Sequence, residues 1–474
     1  MEKDLYEFTE FEKNEKLFAR TYKGVNYWQC VRYDIQKTIS FKEWGWIGKG
    51  SKKSQGIWKK LGGLLKRGVE DFRDVLNLKT CDLLYFDEQL YRYVDGKLVD
   101  SYFDYFGFED RFSVQRCYYH EKEGRRSRCG GIGVSAAALI QGVLYRLSKR
   151  MPSMFADTQE DQFLEDLCRK IGYRFNTDIH ADSMVQKVRD VVLHHKVYGR
   201  YYEWLISKVR PRAIIVVSHF DSKLFPMYGI AHKHHVPVIE LEHGLIAYHE
   251  AYNYQDLTEE GKLLPDYFFV YGDFWTKYIQ LPICMKPIAV GNPFLEMQRR
   301  KYDGIEPDEK TIVFYSGRIG MEQAEFVIEF YKRNIGNGYR VCFKPHPVEY
   351  PDFRELYPVF EAYPEIRIIP KETDLYELLA GAKHHVAAAS TVLFEAAIFD
   401  VKRYVMYMPE WIQYVQPLID AGLARMFRNL DELQELLEEK EHVDKSILDR
   451  LWKSNAKENA LGVLEGIISG RKVD

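Results

Sequence analysis

The sequence predicts an α/β protein in which a set of amino-terminal helices precedes two domains, each built on a parallel sheet. Between residues 213 and 408, short apolar runs rich in β-branched residues alternate with helical stretches, which is typical of βαβ units. Polar residues directly follow several of these runs, where open parallel sheets bind their ligands. The length of 474 residues fits two or three domains, and 46% hydrophobic residues supply their cores.

The composition excludes several classes of protein. Lysine and arginine number 67 against 70 aspartates and glutamates, so the charge gives no basis for nucleic-acid binding. The seven cysteines are scattered and never in CxxC spacing, which predicts a reducing compartment and no zinc site. Neither a signal peptide nor an apolar run of about 18 residues occurs. We therefore expect a cytoplasmic protein that needs no metal and no cofactor.

The predicted organisation has four parts. The stretch 294–310 is charged and contains Gly304 and Pro307, so it is the best candidate for a boundary between the two sheet domains. The parts are an amino-terminal helical and basic segment, a first sheet domain, a second sheet domain and carboxyl-terminal helices, at 1–70, 71–300, 308–440 and 441–474.

The amino-terminal segment contains two distinct patterns. Residues 1–47 carry an apolar stripe at helical spacing, which favours a helix packed on the first domain. Residues 48–69 contain seven lysines and arginines, no acidic residue, and interleaved apolar residues that include Trp58. Such a segment suits either an anionic membrane surface or a solvated connector, and its many glycines favour the connector.

The first sheet domain has strand candidates at 82–86, 114–119, 213–217, 236–241, 266–271 and 287–290. Asp221, Glu242 and His243 come just past the ends of two of these runs. A carboxylate or an imidazole at that edge can take the proton from a hydroxyl group. All three residues are therefore candidates for a general base. Glu240 shares a face with Glu242 because strand side chains alternate, and one of these two glutamates is expected to be structural.

The second sheet domain has strand candidates at 311–315, 339–343, 366–369, 384–389 and 404–407, of which the last is expected to close the sheet. Ser390 and Thr391 begin a helix, where such a pair alone is usually a simple helix cap. Here they follow a run of small residues that lets a ligand approach the backbone closely, which favours a seat for a phosphate. Glu395, one turn further, is a candidate partner of ribose hydroxyls or of a surface cation.

A second polar interruption in this domain is Lys344-Pro345-His346-Pro347. The two prolines force an extended, rigid turn that aims the lysine and the imidazole, and a histidine there can stabilise a departing phosphate. The alternative is a structural proline turn. Arg318, in the loop after the first strand, is a candidate for a second cation near the phosphate, or a surface residue. Thr373 is the expected cap of the helix 374–380 and a further donor-binding candidate.

These motifs resemble those of GT-B glycosyltransferases. Lys344-Pro345-His346-Pro347 with Ser390-Thr391 is similar to the HP and S motifs of bacterial sialyltransferases, polysialyltransferases and capsule Kdo transferases. Glu242-His243-Gly244 is similar to their acidic-acidic-Gly motif, but its middle residue is histidine, as in the His-Gly of the CDP-glycerol glycerophosphotransferases. The resemblance covers residues 210–408. It implies two Rossmann-like domains that face each other across a cleft, with the nucleotide in the second.

The resemblance also implies a function. We expect a metal-independent transferase that moves a sugar, of the CMP-activated ulosonic or sialic type, onto a glycan or lipid-linked glycan in bacterial capsule or lipopolysaccharide synthesis. Such an enzyme would work in the cytoplasm beside the inner membrane, where 48–69 would suit contact with the membrane surface. The donor would contact Arg318, Lys344, His346, Thr373, Ser390, Thr391 and Glu395, and His243, Glu242 or Asp221 would be the base.

Three alternatives remain open at this stage. The same motifs fit a CDP-glycerol or other CDP-alditol phosphotransferase. The UDP-N-acetylglucosamine 2-epimerases share the fold and have a His-Pro and a serine-containing loop, but Ser390-Thr391-Val392 replaces their usual Ser-Gly-Gly turn. A non-catalytic partner that binds a nucleotide sugar is the third alternative.

Overall fold

A computed structural model describes residues 2–41, 78–88, 91–94, 96–118, 132–133, 155–254, 257, 263–409, 411–439 and 445–471. The basic segment 48–69 lies outside these ranges, so its predicted membrane contact stays a prediction.

The amino-terminal helices pack on one face of the first sheet, as the apolar stripe predicts. The helix that carries this stripe buries Trp28, Val31, Ile35 and Ile39 in the same cluster as Leu84 of the sheet. The elements are α1 (Glu2–Asn14), the hairpin strands β1 (Thr21–Tyr22) and β2 (Val25–Asn26), and α2 (Trp28–Phe41). Later helices complete the layer, namely α3 (Thr158–Phe175), α4 (Ala181–Val209) and α5 (Phe225–Lys233).

The first sheet has seven parallel strands in the order β11-β10-β9-β8-β3-β6-β7. They are β3 (Leu83–Asp87), β6 (Val114–Tyr118), β7 (Ile132–Gly133), β8 (Ala213–Val216), β9 (Val238–Leu241), β10 (Tyr267–Val270) and β11 (Lys286–Ala289). An antiparallel hairpin, β4 (Tyr91–Val94) and β5 (Lys97–Asp100), follows β3. Continuous apolar runs form the central strands because helices cover both faces of a parallel sheet.

The second sheet has six parallel strands in the order β14-β13-β12-β15-β16-β17. They are β12 (Asp308–Tyr315), β13 (Arg340–Lys344), β14 (Arg367–Ile368), β15 (Ala382–Ala387), β16 (Lys402–Met406) and β17 (Arg425–Phe427). The prediction that residues 404–407 close the sheet is wrong, because β17 pairs with β16 at that edge. A three-residue edge strand is too short to show a periodic pattern.

Helices α6 to α14 connect and cover the second sheet and return to the first. They are α6 (Pro293–Lys301), α7 (Met321–Asn334), α8 (Phe353–Leu356), α9 (Leu375–Gly381), α10 (Thr391–Glu395), α11 (Ile412–Asp420), α12 (Leu430–Glu438), α13 (Lys445–Leu451) and α14 (Ala456–Ile468). The chain thus forms two α/β domains with parallel sheets that face each other across a cleft. This confirms the GT-B architecture that the motifs implied.

The carboxyl-terminal segment crosses from the second domain to the first. Its last helix, α14, buries Ala460, Leu461 and Leu464 against the face of the first sheet opposite the amino-terminal helices. A Cβ atom at Gly272 would lie 2.0 Å from the carbonyl oxygen of Arg450, and one at Gly291 would lie 2.1 Å from that of Lys453. The two glycines after β10 and β11 therefore let this segment approach the sheet closely.

A buried carboxylate of the first domain contacts the second domain. Glu250, in the first domain, accepts a hydrogen bond from the hydroxyl of Tyr414 on α11 at 2.9 Å. The Nζ atom of Lys37 on α2 lies 3.3 Å from the second carboxylate oxygen of Glu250. One apolar cluster also contains residues of both domains, among them Trp275 and Phe394. A hydrogen bond to a buried carboxylate and apolar packing therefore both join the two domains.

Candidate active site

A cleft between the two domains collects side chains from both sheet edges and from the carboxyl-terminal crossing segment. The first domain contributes a histidine, an arginine and several aromatic residues, and the second contributes hydroxyl, carboxylate and aromatic groups. The lining residues are Arg92, Ser101, Tyr102, His243, Gly244, Leu245, Tyr271, Trp275, Asn292, Phe294, Tyr376, Thr391, Phe394, Glu395 and Trp452. Aromatic walls with a few polar groups are the usual composition of a site for a small molecule.

His243 is the predicted base candidate that lines this cleft. It follows β9, whose buried run Val238–Leu241 ends at the carboxyl edge of the sheet. Its Nε2 atom lies 3.4 Å from Oγ of Ser218, which follows the neighbouring strand β8. Its Nδ1 atom is buried and has no hydrogen-bond partner among the described residues. In the tautomer in which Nε2 donates to Ser218, Nδ1 is free to accept a proton.

Glu242 lies directly behind His243 and is 1% exposed. One carboxylate oxygen accepts the backbone N–H of Tyr271 at 2.6 Å. The other carboxylate oxygen, Oε1, has no partner within the described ranges. Burial, reinforced by the nearby charge of Glu240, raises the pKa of Glu242 well above its usual value. Burial therefore disfavours the charged form of Glu242, which makes it a weaker candidate for the base than His243.

The third base candidate, Asp221, is not among the residues that line the cleft. One carboxylate oxygen of Asp221 accepts the backbone N–H of Lys223 at 2.8 Å and so closes its own loop. Its predicted role as a base remains a prediction, without support from this geometry.

Glu240 forms a buried network behind the edge. Its carboxylate accepts the backbone N–H and faces Nδ1 of His219, at 3.1 and 2.8 Å, and accepts the hydroxyl of Tyr252 at 2.9 Å. Nε2 of His219 lies 2.9 Å from the hydroxyl of Tyr254. Both His219 and Glu240 are 0% exposed. All these polar groups have partners, so Glu240 has the structural role that was expected for one of the two glutamates, Glu240 and Glu242.

A polar bridge crosses the cleft between the hairpin and the second domain. Arg92, on β4, donates to the hydroxyl of Tyr376 at 3.2 Å and lies 3.7 Å from the carboxylate of Glu395. The hydroxyl of Tyr376 also donates to Glu395, and Arg92 donates to the hydroxyl of Tyr102 at 3.4 Å. The charge of Glu395 is therefore paired inside the cleft rather than at the surface.

Three loops meet at the carboxyl edge of the second sheet. They follow β12, β13 and β15, which are adjacent strands with β12 in the centre. The backbone N–H of Ser316 donates to the carbonyl of Lys344 at 3.0 Å. A Cβ atom at Gly317 would lie 3.6 Å from that of Ala388. The structure therefore places the loops of Arg318, His346 and Ser390 side by side.

A chain of hydrogen bonds fixes the backbone of His346. Its backbone N–H donates to the buried carboxylate of Glu349 at 2.7 Å. That carboxylate also accepts the hydroxyl of Tyr357 at 2.7 Å, and this hydroxyl lies 3.0 Å from Oγ of Ser316. The Nδ1 atom of His346 accepts the backbone N–H of Val348 at 3.4 Å. This contact favours the neutral tautomer that carries its proton on Nε2.

The charges at this edge act on one another. Burial lowers the pKa of His346, and the guanidinium of Arg318 lowers it further, while Glu349 opposes the shift. Burial also lowers the pKa of Lys344, against the opposing charge of Glu372. Arg318 itself is exposed and has a positive φ of 60°. His346 is therefore neutral at neutral pH, with Arg318 as the exposed cation beside it.

The remaining residues that were predicted to bind the nucleotide-sugar donor lie at helix starts or in the cleft. Ser390 accepts the backbone N–H of Val392 at 3.3 Å and so caps α10, while Thr391 lines the cleft. Because α10 has five residues, its dipole is short. The predicted cap at Thr373 is wrong, since the carboxylate of Asp374 accepts the N–H groups of Tyr376 and Glu377. An aspartate is as good a cap as a threonine, and cap position is ambiguous by a residue.

Sequence reasoning missed most of the cleft residues, and three of them show why. Arg92 and Ser101 lie on and just after the hairpin β4–β5, and Trp452 follows α13 in a segment that carries no site signature. The turn Asp95-Gly96 was a signal for the hairpin. Trp452 reaches the cleft through the crossing of the chain, which no local pattern reveals.

Within the described ranges, no group of three or more histidine, cysteine, aspartate or glutamate side chains converges to hold a metal ion. Among the helices of the described residues, none has the length and apolar character that crossing a membrane requires.

No protein-family model and no curated protein matches the sequence. Several solved structures resemble the fold. UDP-GlcNAc 2-epimerase from Methanocaldococcus jannaschii, in complex with UDP-GlcNAc and UDP, has a TM-score of 0.46 and 11% identity over 81% of this chain and 98% of the other. UDP-N-acetylglucosamine 2-epimerase from Rickettsia bellii has a TM-score of 0.43 and 13% identity, over 83% and 94%.

A ugt transferase from Siraitia grosvenorii, in complex with UDP, has a TM-score of 0.33 and 9% identity over 59% of this chain and 82% of the other. At these identities and TM-scores the likenesses carry no functional argument. The fold class rests on the topology of the two sheets.

Proposed function

We propose that the protein is a glycosyltransferase that uses a nucleotide-activated sugar. The second domain binds the donor, and the first domain supplies the base that acts on the acceptor. The observation that carries this proposal is that His243 of the first domain and Thr391 of the second line the same cleft. A base and a phosphate-binding loop that face each other are what transfer between two bound substrates needs.

The donor phosphate lies at the three-loop edge of the second sheet. A neutral His346 donates a hydrogen bond from Nε2 to a phosphate oxygen, and Arg318 and Lys344 supply positive charge. Ser390 and Thr391 contribute hydroxyl groups on the side of the cleft. Thr373, which follows strand β14 beside β13, contributes a further hydroxyl group. Glu395 faces the ribose. The rigid support behind His346 favours this role, because a group held in place loses little entropy on binding.

His243 is the favoured base. It lines the cleft with Nδ1 unpartnered among the described residues, whereas burial disfavours the charged form of Glu242 and Asp221 closes its own loop. In the transfer step the acceptor hydroxyl gives its proton to Nδ1 of His243 while its oxygen bonds to the anomeric carbon. The bond from that carbon to the donor phosphate oxygen breaks, and the nucleotide leaves with the electron pair.

The proposed donor is a CMP-linked ulosonic or sialic-type sugar, and the acceptor is a glycan or lipid-linked glycan of a bacterial surface polysaccharide. This finer assignment rests on the resemblance of the His-Pro and Ser-Thr motifs. The enzyme would work in the cytoplasm beside the inner membrane, with 48–69 as the contact.

A thermal-shift screen with CMP, CDP, UDP and GDP tests the nucleotide. Selective stabilisation by a cytidine nucleotide is the expected result, because binding to the folded state raises the melting temperature. Selective stabilisation by UDP would contradict the cytidine assignment and favour the 2-epimerase alternative.

A second candidate is a CDP-alditol phosphotransferase. The position of His243 favours it, because the cleft residue of Glu242-His243-Gly244 is the histidine shared with the His-Gly motif of those enzymes. Release of CMP from CDP-glycerol in the presence of an acceptor, with no release from a CMP-linked sugar, would establish this candidate over the first.

A further inference from the structure

We propose that Glu349 and Tyr357 are positioning residues that join two loops of the second domain into one phosphate-binding unit. The loops are the Arg318 loop (316–320) and the His346 loop (345–349). This inference rests on the proposed function and names the residues that prepare its donor site for a phosphate group. It is carried by the direction of a buried chain of hydrogen bonds, by the backbone conformation at one end of that chain, and by the carboxylate at the other end.

The hydrogen bonds of this chain have a fixed direction. The O–H of Tyr357 donates to the carboxylate of Glu349 at 2.7 Å. Burial raises the pKa of Tyr357 to about 12, so the hydroxyl keeps its single proton. Because that proton is already used, the O–H of Ser316, 3.0 Å from the same oxygen, must donate to Tyr357. Oγ of Ser316 in turn accepts the backbone N–H of Arg318 at 3.1 Å. The chain therefore starts at the backbone of Arg318 and ends at Glu349.

The carboxylate of Glu349 connects this chain to the other loop. Its Oε1 atom accepts the hydroxyl of Tyr357, and its Oε2 atom accepts the backbone N–H of His346 at 2.7 Å. The side chains of Glu349, Tyr357 and Ser316 are all buried. Hydrogen bonds to a charged acceptor are stronger than neutral ones, and burial strengthens them further. One oxygen of Glu349 thus holds each loop.

The backbone of Arg318 has a conformation that such support stabilises. Its φ of 60° lies in the left-handed region, which is uncommon for a residue other than glycine. The hydrogen bond to Ser316 fixes one side of this turn, and the N–H of Gly317 donates to Gln323 at 3.0 Å on the other. The exposed guanidinium of Arg318 is thereby held near His346, where its charge contributes to the lowered pKa of the imidazole.

A phosphate group requires both loops in a fixed relation. His346 offers the N–H of Nε2 and Arg318 offers its guanidinium, and these groups follow different strands. Groups that bind one ligand together must keep their relative positions to within about 0.5 Å. The chain through Glu349 restricts the movement of the loops before the ligand arrives, so less entropy is lost on binding. A nucleoside, which lacks the phosphate, gains nothing from this restriction.

Tyr357→Phe breaks the chain and keeps the aromatic packing. The ring of Tyr357 lies 5.3 and 5.4 Å from the rings of Phe343 and Phe353, measured between centroids. Ligand-observed NMR titrations of the full chain use CMP, UDP, cytidine and uridine. The nucleotide that the unaltered protein prefers should bind Tyr357→Phe about two- to tenfold more weakly, the range for one hydrogen bond, and its nucleoside should bind equally well. Tyr363→Phe is the matched control, because Tyr363 packs on Tyr331 outside the chain, and its affinities should not change.

Ser316→Ala breaks the same chain at its neighbouring link. Its loss of nucleotide affinity should be similar, and the double variant with Tyr357→Phe should lose no more than the larger single loss, because residues of one network are not additive. Hydrogen exchange of the free protein, followed by mass spectrometry, supplies a measurement without ligand. Exchange should become faster in both the Arg318 loop and the His346 loop of either single variant.

Four outcomes would overturn the inference and leave the proposed function in place. They are unchanged nucleotide affinity in both single variants, equal losses for nucleotide and nucleoside, additive losses in the double variant, and faster exchange confined to one loop. Failure of the unaltered protein to bind either nucleotide would instead refute the proposed function, and the phosphate role of the two loops with it.

Discussion

Histidines lie at the carboxyl edges of both sheets, but their hydrogen bonding differs. At the second sheet, His346 is supported by Glu349 and Tyr357 and carries its exposed cation, Arg318, beside it. At the first sheet, His219 is fully satisfied, while Nδ1 of His243 is buried without a partner among the described residues. Rigid support with an outward donor suits binding of a phosphate, and an unpartnered nitrogen in a cleft suits proton transfer.

The largest effect expected from this comparison is on turnover. His243→Gln should lower the transfer rate about 10²- to 10⁴-fold, since an amide cannot accept the proton. The nucleotide dissociation constant should stay unchanged, because the donor lies at the other edge. Steady-state rates and calorimetric titration measure the two quantities. His180→Gln, at an exposed loop position, is the control, and a normal rate in His243→Gln would remove His243 as the base.

The next effect is on stability. It tests whether His219 has a structural role, in contrast to the catalytic role proposed for His243. Glu240→Gln disturbs the buried contacts of Glu240 with His219 and Tyr252. It should lower the free energy of unfolding by about 1–3 kcal/mol, the cost of leaving buried groups unsatisfied. Urea denaturation gives the change.

The matched control for that change is Glu203→Gln, which breaks an exposed pair with Lys233 and His234. Exposed pairs contribute about 0–1 kcal/mol. Equal effects of the two substitutions would show that the network around Glu240 is not the structural element described above.

A further effect is a pH dependence of stability at the hairpin. Burial, with the nearby charge of Asp87, raises the pKa of Asp100 to about 7. The folded state therefore binds this proton more tightly than the unfolded state, so stability present in acid is lost as the pH rises through about 7. Asp100→Asn should flatten the fall in the free energy of unfolding measured between about pH 4 and pH 7.

Glu242 contributes to the same fall with the same sign, since its pKa is also raised. The slope in Asp100→Asn should therefore shrink rather than vanish. An unchanged slope would mean that Asp100 titrates at its ordinary pKa.

The parallel sheets could be predicted because their strands are short apolar runs that helices bury on both sides, as at Ala213–Val216. The edge residues His243, Thr391 and Glu395 could be predicted because parallel strands place their carboxyl ends together. The strand Arg425–Phe427 and the cap at Asp374 could not, since a short edge strand and a one-residue shift leave no periodic signal.

The contribution of the carboxyl-terminal segment depends on tertiary contacts. Trp452 reaches the cleft because the chain crosses back over Gly272 and Gly291, and the local sequence around it is merely charged and helical. Nor does the sequence reveal that Arg92 meets Tyr376 and Glu395, since 284 residues separate Arg92 from Tyr376. Contacts of that range are set by domain packing.

The division of labour between the two edges is tested most directly by nucleotide titration of His346→Ala and His243→Ala side by side. The prediction is that His346→Ala weakens nucleotide binding about 10- to 100-fold, as expected for loss of a hydrogen bond to a charged phosphate. The same prediction is that His243→Ala binds like the unaltered protein. Equal affinities in both variants, or a loss confined to His243→Ala, would contradict the placement of the nucleotide in the second domain.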